Sequence, residues 1–237
     1  MMNPVLLLTH NNLELTKKCV ESVRAQDVPV SIHIYDNNSS DGTQAWLDSQ
    51  PDIINQSSGV DLKVSEGWNF VLEILFAERG QGEIGWGAEH VLVLNNDTII
   101  PPYFYRELLS YDVPFVTGFE VQTLPEIAVC PWRFPLQPHP DFSAFIIKRE
   151  AWEKIGPFDE RMKIYCGDCD YHVRGHRLGV QMSKATVPYY HERSSTMRLA
   201  PPEERDAIAK QAGEDRAVFQ SIYGCIPGQP GYEVLFK

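Results

Sequence analysis

Three clusters of polar residues, each following an apolar stretch, contain side chains that could bind a charged ligand. The plainest example is HVLVLNND (90–97), in which four apolar residues run into two asparagines and Asp97. A carboxylate in this position can ligate Mg²⁺ or Mn²⁺, because these ions prefer oxygen ligands and share them with substrate phosphates. The clusters are Thr9-His10-Asn11, Asp36-Asn37-Asn38 and Asn95-Asn96-Asp97.

A second group of ionisable residues lies in the later half of the chain. Asp168 and Asp170 occur in YCGDCD, at the predicted start of a helix, and His191 follows the predicted strand ATVPYY. A carboxylate can act as a general base, and a neutral imidazole can ligate a metal ion beside a carboxylate. An acid at a helix N-terminus can also have a purely structural role, because the helix dipole stabilises it.

The segment CGDCDYHVRGH (166–176) raises an alternative, because cysteine and histidine are zinc ligands. Its candidate ligands fall within 11 residues with no hairpin between them, which is not the spacing of a zinc finger. On a helix, Cys169, His172 and His176 would lie roughly on one side. Packing is the favoured role for the cysteines, and a zinc site is the alternative.

The order of the predicted elements places the three polar clusters at one edge of a sheet. Strands PVLLLT, VSIHIYD and HVLVLNND alternate with helices through about residue 110. This alternation indicates βαβ units and a mostly parallel sheet, whose ligands bind at the carboxyl ends of the strands. We therefore expect the clusters to face one cleft. The predicted helices are 13–26, a short helix capped by Asp41, 65–80 and 103–111.

The alternating pattern loosens after residue 110. A proline-rich stretch (125–140) predicts a long irregular segment, and such segments often bind ligands. The further predicted elements are a strand with a helix (142–156), a helix (167–179), a strand running into a loop (185–195) and a C-terminal helix (201–224). The final GYEVLFK resembles a protease site used in expression vectors, with Lys237 where that site needs glutamine, so no function is assigned to it.

Composition indicates one large domain and excludes several classes of protein. The 237 residues are 43% hydrophobic and 22% charged. No apolar run approaches the roughly 20 residues of a transmembrane helix. The N-terminus has no basic segment before its short apolar run, so a cytoplasmic protein is expected. The five cysteines are an odd and sparse set, which does not indicate a disulfide framework.

The charge of the chain is acidic and uneven. A net charge of −11 disfavours non-specific binding to nucleic acid or to an anionic membrane. Residues 1–100 contain 5 basic and 14 acidic side chains, whereas residues 150–198 contain 8 and 7. Cations that pair with an anionic ligand are therefore expected in the later half.

Four stretches, in this order, resemble the motifs of the family-two glycosyltransferases of the GT-A fold. They are LLLTHNN, IYDNNSSDGT, VLNNDT, and the long stretch from FIIKREAWEKIGPFDERM through YCGDCDYHVRGHRLG to VPYYH. The resemblance implies an α/β protein with the GT-A (nucleotide-diphospho-sugar transferase) fold, in which a mostly parallel central sheet is flanked by helices. It implies a single domain (1–237) with a donor-binding half (1–110), an acceptor-binding and catalytic half (111–200), and a C-terminal helix and tail (201–237).

The resemblance also implies an inverting, metal-dependent transfer of a sugar from a UDP- or dTDP-linked donor to a hydroxyl acceptor. Asp97 and His191 would hold Mn²⁺ or Mg²⁺. Asn95-Asn96-Asp97 keeps only the last acid of the family's DXD-like motif, which weakens the expected metal affinity. Asp168 would be the general base that deprotonates the acceptor, with Gly167 where glutamate is common in the family.

Residues that match the family's ligand-contacting segments define the expected substrate contacts. Asp36 would accept a hydrogen bond from the ring N–H of uracil or thymine, and Arg193 and Arg198 would pair with the diphosphate. Trp132, in the proline-rich stretch, and Asp170 are the expected acceptor contacts. The expected donor contacts are Thr9, Asn11, Asp36, Asn38, Ser65, Asn69, Asn96, Asp97, Arg193 and Arg198.

Two other functions are kept as alternatives. A sugar-phosphate nucleotidyltransferase uses a similar sheet, but LTHNNLELTKK (8–18) lacks the glycines of its first loop. A non-catalytic nucleotide-sugar-binding module would explain the reduced metal motif. A glycan is the favoured acceptor, and a lipid-linked sugar, a protein or a modified nucleic acid are the other acceptors considered.

Overall fold

The alternating strands and helices predicted for the first 110 residues are present. The computed structural model describes residues 2–78, 85–128, 135–192 and 195–237. Its strands are β1 (Asn3–Thr9), β2 (Val30–Asp36), β3 (Ile53–Asn55), β4 (His90–Asn95), β5 (Thr98–Ile99), β6 (Phe115–Val121), β7 (Ala144–Lys148) and β8 (Met182–His191). Its α-helices are α1 (Leu13–Arg24), α2 (Thr43–Asp48), α3 (Lys63–Phe76), α4 (Phe104–Leu109), α5 (Arg149–Ile155), α6 (Gly167–Arg177), α7 (Ser195–Leu199) and α8 (Pro202–Tyr223). Two 3₁₀ helices cover Leu124–Ala128 and Tyr232–Phe236.

The strands pair in one sheet with the order β3-β2-β1-β4-β7-β6-β8-β5. Strands β3, β2, β1 and β4 are mutually parallel. Strand β7 runs antiparallel to β4 and β6, and β5 runs antiparallel to β8. The predicted α/β architecture with a mostly parallel sheet is therefore confirmed, and the two reversed strands both lie in its later half.

Strand β6 was not indicated by the sequence pattern, because its FVTGFEV segment contains a glycine and mixes polar with apolar residues. The glycine has a packing reason. A Cβ atom at Gly118 would lie 2.7 Å from Cδ1 of Tyr189 and 2.8 Å from the ring of Phe104. Only glycine lets β6 pass this close to β8 and α4, so tertiary packing accounts for a residue that is unfavourable in a strand.

Apolar side chains pack against both faces of the sheet. On β1 they alternate, so that Val5 and Leu7 point into one layer while Leu6 and Leu8 point into the other. Helices α1 and α4 cover the first layer, and α3, α5 and α6 cover the second. With both faces covered, polar groups concentrate at the carboxyl edge of the sheet. None of the helices in the described ranges combines the length and apolarity needed to cross a membrane.

A third apolar cluster joins α6, α8 and the 3₁₀ helix Tyr232–Phe236. The ring centroid of Phe236 lies 4.4 Å from that of His172 and 5.4 Å from that of His176. The GYEVLFK segment thus packs as part of the fold, which its likeness to an appended protease site did not indicate. The zinc alternative is wrong, because no three His, Cys, Asp or Glu side chains in the described ranges form a metal-binding group.

Candidate functional site

A cleft of about 1080 Å³ opens at the carboxyl edge of the sheet. Its lining residues come from the ends of β1, β4, β6 and β8, from the starts of α3 and α6, and from α8. Residues of all three polar clusters line this cleft, because the carboxyl ends of parallel strands meet at one edge. The predicted site residues that line it are Thr9, Asn11, Asn38, Ser65, Asn96, Asp168 and His191.

Asp97 and His191 form an ion pair beside the cleft. Strand pairing sets their positions, since β5 begins directly after Asp97 and runs antiparallel to the end of β8, with Thr98 opposite His191. The distance from Nε2 of His191 to Oδ1 of Asp97 is 3.1 Å, and Nδ1 lies 3.6 Å from Oε2 of Glu120. The three side chains are 8–15% exposed, so this is a largely buried group of charges.

The pKa of His191 is raised in this setting. Burial by itself lowers the pKa of an imidazole, but the hydrogen bond with Asp97 and the negative charges of Asp97, Glu120 and Asp141 together outweigh that effect. The same negative charges attract a divalent cation. A proton and a metal ion therefore compete for this imidazole.

The chemistry of these side chains fits a divalent cation. Asp97 offers a carboxylate oxygen and His191 a ring nitrogen, which Mn²⁺ accepts as ligands. Their separation of 3.1 Å is close to the distance of about 3 Å between neighbouring ligands of an octahedral ion bound at ~2.1 Å. No three ligating side chains in the described ranges form a complete site. Phosphate oxygens of a bound ligand would have to complete the coordination.

Glu120 is a site residue that the sequence reasoning missed. It is the next-to-last residue of β6 and lines the cleft, and its carboxylate faces Nδ1 of His191 while Asp97 faces Nε2. At 3.6 Å this carboxylate makes no hydrogen bond to Nδ1, but its charge favours a ring orientation with Nε2 directed toward a metal. A polar residue near the carboxyl end of a strand is the pattern that could have indicated Glu120. The pattern could not be recognised, because the sequence did not predict β6 as a strand.

Asp168 lies in the first turn of α6 and lines the cleft. Its Oδ1 accepts a hydrogen bond from the backbone N–H of Cys169 at 2.8 Å. Burial raises the pKa of Asp168, and the charge of Asp141 raises it further, while the Cys169 N–H opposes both. A carboxylate with a raised pKa is a stronger proton acceptor than an ordinary aspartate once it is ionised.

Gly167 accounts for the departure from the family pattern beside Asp168. A Cβ atom at this position would lie 2.6 Å from Oγ of Ser65, so the space of a larger residue is already taken. Ser65 is held there because its hydroxyl donates to the carbonyl of Met162 at 2.5 Å. The glutamate that is common in the family would force the Ser65 hydroxyl to move and to lose its hydrogen bond with Met162.

The amide-rich clusters are connected by hydrogen bonds. Nδ2 of Asn96 donates to Oγ1 of Thr9 (3.2 Å) and of Thr16 (3.0 Å). Oδ1 of Asn11 accepts from the backbone N–H of Ser40 at 2.9 Å. Asn11 and Asn38 both have left-handed backbones, with φ of 56°, a conformation that asparagine tolerates better than most residues. These contacts hold the loops after β1, β2 and β4 together.

Asp36 is buried and does not line the cleft. Its carboxylate accepts hydrogen bonds from the backbone N–H of Ser39, at 3.3 and 3.2 Å, and from the Ser39 hydroxyl. Burial raises the pKa of Asp36, and the hydrogen bonds from Ser39 oppose the rise. The Asp36 carboxylate therefore caps the loop after β2, and its expected contact with a nucleobase stays a prediction.

Three further predicted residues lie away from the cleft. Asn69 is buried, and its amide bonds to the backbone of Phe158 at 2.8 and 2.9 Å. Asp170 is buried between Arg174 and Tyr223, each 2.7 Å away. Arg198 is exposed and pairs with Glu192. These side chains contact protein groups in the structure, and their expected ligand contacts stay predictions. Trp132 and Arg193 lie outside the described residues.

The cleft contains other side chains that the sequence reasoning did not assign. Lys63 and Lys184 are its lysines, and Asp141 lies near both Asp168 and His191, since its charge affects the pKa of each. Residues of α8 also line the cleft, although nothing in the helical pattern indicated a ligand-facing side. These α8 residues are Glu204, Ala207, Ile208 and Gln211.

Comparison with solved structures identifies the fold. The mannosyltransferase PcManGT from Pyrobaculum calidifontis, in complex with GDP-Man and Mn²⁺, is 15% identical with a TM-score of 0.57, over 98% of this chain and 82% of that one. S. aureus TarS 1–349, in complex with UDP-GlcNAc, is 14% identical with a TM-score of 0.56, over 100% and 78%. Glucosyl-3-phosphoglycerate synthase from Mycobacterium tuberculosis, in complex with Mn²⁺, UDP and glucosyl-3-phosphoglycerate, is 15% identical with a TM-score of 0.60, over 96% and 81%.

No protein-family model matches the chain, and no curated protein matches it by sequence. At identities of 14–15%, the similarity to solved structures shows the fold. The chain has the GT-A fold of glycosyltransferases, as the resemblance of its motifs implied.

Proposed function

We propose that this GT-A chain is an inverting, metal-dependent glycosyltransferase that moves a sugar from a UDP- or dTDP-linked donor to a hydroxyl acceptor. The observation that carries the proposal is the cation-competent pair of Asp97 and His191, in which His191 lines the same cleft as Asp168. Residues 1–110 provide the donor side of this cleft, and residues 111–200 provide Asp168 and His191.

At the metal site, Asp97 and Nε2 of His191 would hold Mn²⁺ or Mg²⁺, and Glu120 would orient the imidazole. A cation bound there would neutralise the negative charge that develops on the nucleoside diphosphate leaving group. Thr9, Asn11 and Asn38 line the part of the cleft that would receive the nucleoside, since they lie at the ends of β1 and β2. Ser65 would contact the donor at the start of α3.

On the acceptor side, Asp168 would act as the general base. The acceptor oxygen forms a bond to the anomeric carbon, the bond from that carbon to the diphosphate breaks with its electron pair, and the hydroxyl proton passes to Asp168. Attack from the face opposite the diphosphate inverts the anomeric centre. One carboxylate is enough for this step, because no covalent sugar intermediate forms.

The charge of the cleft supports an uncharged, hydroxyl-rich acceptor such as a glycan. Carboxylates accept hydrogen bonds from sugar hydroxyl groups, whereas they repel a polyanion such as nucleic acid. Tyr165 lines the cleft with 37% of its surface exposed, so its ring can stack on the C–H face of a sugar. The carboxylates that line the cleft are Asp61, Glu120, Asp141, Asp168 and Glu204.

A thermal-shift experiment tests the donor and the metal together. The melting temperature would be measured with UDP-glucose, UDP-N-acetylglucosamine and dTDP-glucose, each with and without Mn²⁺. A ligand at 100 times its Kd stabilises the folded state by about 2.7 kcal/mol, which is roughly 5–10 °C for a chain of this size. We expect this rise to require Mn²⁺ and to disappear in Asp97→Asn.

The matched control is Asp112→Asn, because the side chain of Asp112 is fully exposed and its ion pair with Lys148 is long, at 3.5 Å. This variant should keep the full metal-dependent rise. A rise that survives in Asp97→Asn would contradict the metal role of Asp97. The proposed function would be contradicted if none of the three nucleotide sugars raised the melting temperature, with or without Mn²⁺.

A further inference from the structure

Asp215 on α8 is a completely buried acid that does not line the cleft. Its carboxylate accepts hydrogen bonds from three consecutive backbone N–H groups, those of Lys163 (3.1 Å), Ile164 (2.9 Å) and Tyr165 (2.8 Å). The side-chain amide of Gln211 donates a fourth hydrogen bond at 2.8 Å. Consecutive backbone N–H groups that point at one anion hold it firmly, so this carboxylate ties residues 163–165 to α8.

The same loop is bound from its other side by the start of α3. The carbonyl of Lys163 accepts hydrogen bonds from the N–H groups of Val64 (2.9 Å) and Ser65 (3.2 Å). The carbonyl of Met162 accepts the Ser65 hydroxyl at 2.5 Å. Residues 162–165 are therefore held between α8 and α3, and both helices line the cleft.

This loop leads directly to the proposed catalytic base. Cys166 has a left-handed backbone with φ of 66°, which turns the chain sharply into α6. Gly167 follows in close contact with Ser65, where a Cβ atom would lie 2.6 Å from Oγ. The turn from Tyr165 to Asp168 has little freedom, so a displacement of residues 163–165 would displace the Asp168 carboxylate as well.

We propose that Asp215 is a positioning residue for the catalytic base. Its carboxylate sets the loop 163–165, and through that loop it sets the position of Asp168 relative to the acceptor hydroxyl. Asp215 does not touch substrate in this role. The inference rests on the function proposed above, in which Asp168 accepts the acceptor proton.

Asparagine at position 215 would keep the volume of the aspartate side chain, but it could not accept all of the hydrogen bonds that the carboxylate accepts. Both carboxylate oxygens of Asp215 accept backbone N–H groups, so either orientation of an asparagine amide turns its NH₂ group against at least one N–H donor. The loop would then shift away from α8. The metal pair would be spared, because Asp97 and His191 are held by the β5–β8 pairing, and Ser65 is the proposed donor contact that bonds this loop.

Steady-state kinetics with Asp215→Asn tests the inference. The assay would follow Mn²⁺-dependent hydrolysis of the nucleotide sugar that gives the largest thermal shift among UDP-glucose, UDP-N-acetylglucosamine and dTDP-glucose. We expect kcat to fall at least 10-fold while KM for the donor stays within twofold of wild type. The acid limb of the kcat profile should move to lower pH, because Asp168 becomes less buried and its raised pKa falls.

The matched control is Glu214→Gln, since Glu214 is the exposed neighbour of Asp215 on α8 and makes a 3.8 Å surface ion pair with Lys210. It should retain the wild-type kcat. A wild-type kcat in Asp215→Asn would overturn the positioning role, and so would a loss of donor affinity that parallels the loss of kcat. The latter result would mark Asp215 as a residue that supports the whole fold.

Asp215→Glu is the second variant, to be used if Asp215→Asn does not fold. It keeps the negative charge but displaces it along α8, so kcat should fall while KM for the donor stays unchanged. A wild-type kcat in this variant would overturn the inference. Failure of the proposed function has a different signature, because wild-type protein would then neither bind nor hydrolyse any of the three nucleotide sugars with Mn²⁺.

Discussion

The donor side of the cleft, lined by Thr9, Asn11 and Asn38, and its catalytic edge, formed by Asp97, Glu120, Asp168 and His191, are built in different ways. On the donor side, neutral side chains follow consecutive parallel strands and bond to adjacent loops, as Asn11 does to Ser40 at 2.9 Å. At the catalytic edge, buried charges from distant parts of the chain meet. Asp97 reaches His191 at 3.1 Å only because β5 pairs antiparallel with β8.

This difference predicts how each region responds to substitution. A network of neutral hydrogen bonds loses about 1 kcal/mol for a typical bond, and neighbouring groups can rearrange. A buried charge that loses its partner cannot be compensated by such a rearrangement, so the loss of free energy is larger. Where the charge takes part in catalysis, the loss appears as a slower reaction. We therefore expect large effects on catalysis from the catalytic edge and small effects from the donor-side residues that lie outside the cleft.

The largest effect is expected from Asp168→Asn, which removes the proton acceptor and keeps the shape of the side chain. Transfer and donor hydrolysis should fall roughly 10²–10⁴-fold, the usual contribution of a general base. The Mn²⁺-dependent thermal shift with a nucleotide sugar should remain. Glu150→Gln, at an exposed position of α5, is the control and should be fully active. Loss of the donor-induced shift in Asp168→Asn would show that Asp168 has a structural role.

The pH profile of the wild-type protein in the same assay gives a second measure of the same residue. Only the ionised carboxylate accepts a proton, so kcat should fall as the pH is lowered through the pKa of Asp168. Burial raises that pKa, and the charge of Asp141 raises it further. The acid limb should therefore lie above the ordinary aspartate value of about 3.9. A limb at or below the ordinary value would contradict the environment described for Asp168.

An intermediate effect is expected from Glu120→Gln. This change keeps the size of the side chain and removes the charge that faces Nδ1 of His191 at 3.6 Å. Partners that orient a metal-bound histidine contribute about 10–100-fold to metal affinity, so the Kd for Mn²⁺ should rise by that factor. Calorimetric titration of Mn²⁺ in the presence of UDP measures it, with Glu153→Gln on the surface of α5 as the control. An unchanged Kd would remove Glu120 from the proposed site.

The smallest catalytic effect is expected from Asn69→Ala, although the sequence motifs place Asn69 among the donor contacts. Its amide bonds to the backbone of Phe158, so the free energy of unfolding should fall by roughly 1–3 kcal/mol while KM for the donor stays unchanged. Urea denaturation and donor kinetics measure the two quantities. Gln220→Ala, at an exposed position of α8, should change neither. A raised donor KM at full stability would restore the donor role.

The parts of the site that could be predicted from the sequence are those with local signals. Apolar runs that end in Thr9, Asp36 and Asn95 identified three parallel strands and the edge that they share. Glu120 could not be found in this way, because β6 contains a glycine and becomes a strand only between β7 and β8. Asp36 shows the limit of motif matching, since its type and position fit a base contact while its carboxylate is bound to Ser39.

The sequence by itself determined the α/β order, the GT-A resemblance and the positions of Asp97, Asp168 and His191 as chemical candidates. These conclusions follow from residue types and from patterns within short segments of the sequence. Only the tertiary structure decided that Asp97 and His191 are partners, that Gly167 is required beside Ser65, and that Asp215 holds the loop before Asp168. Such contacts join segments far apart in the chain, and they form only when strand pairing and helix packing bring those segments together.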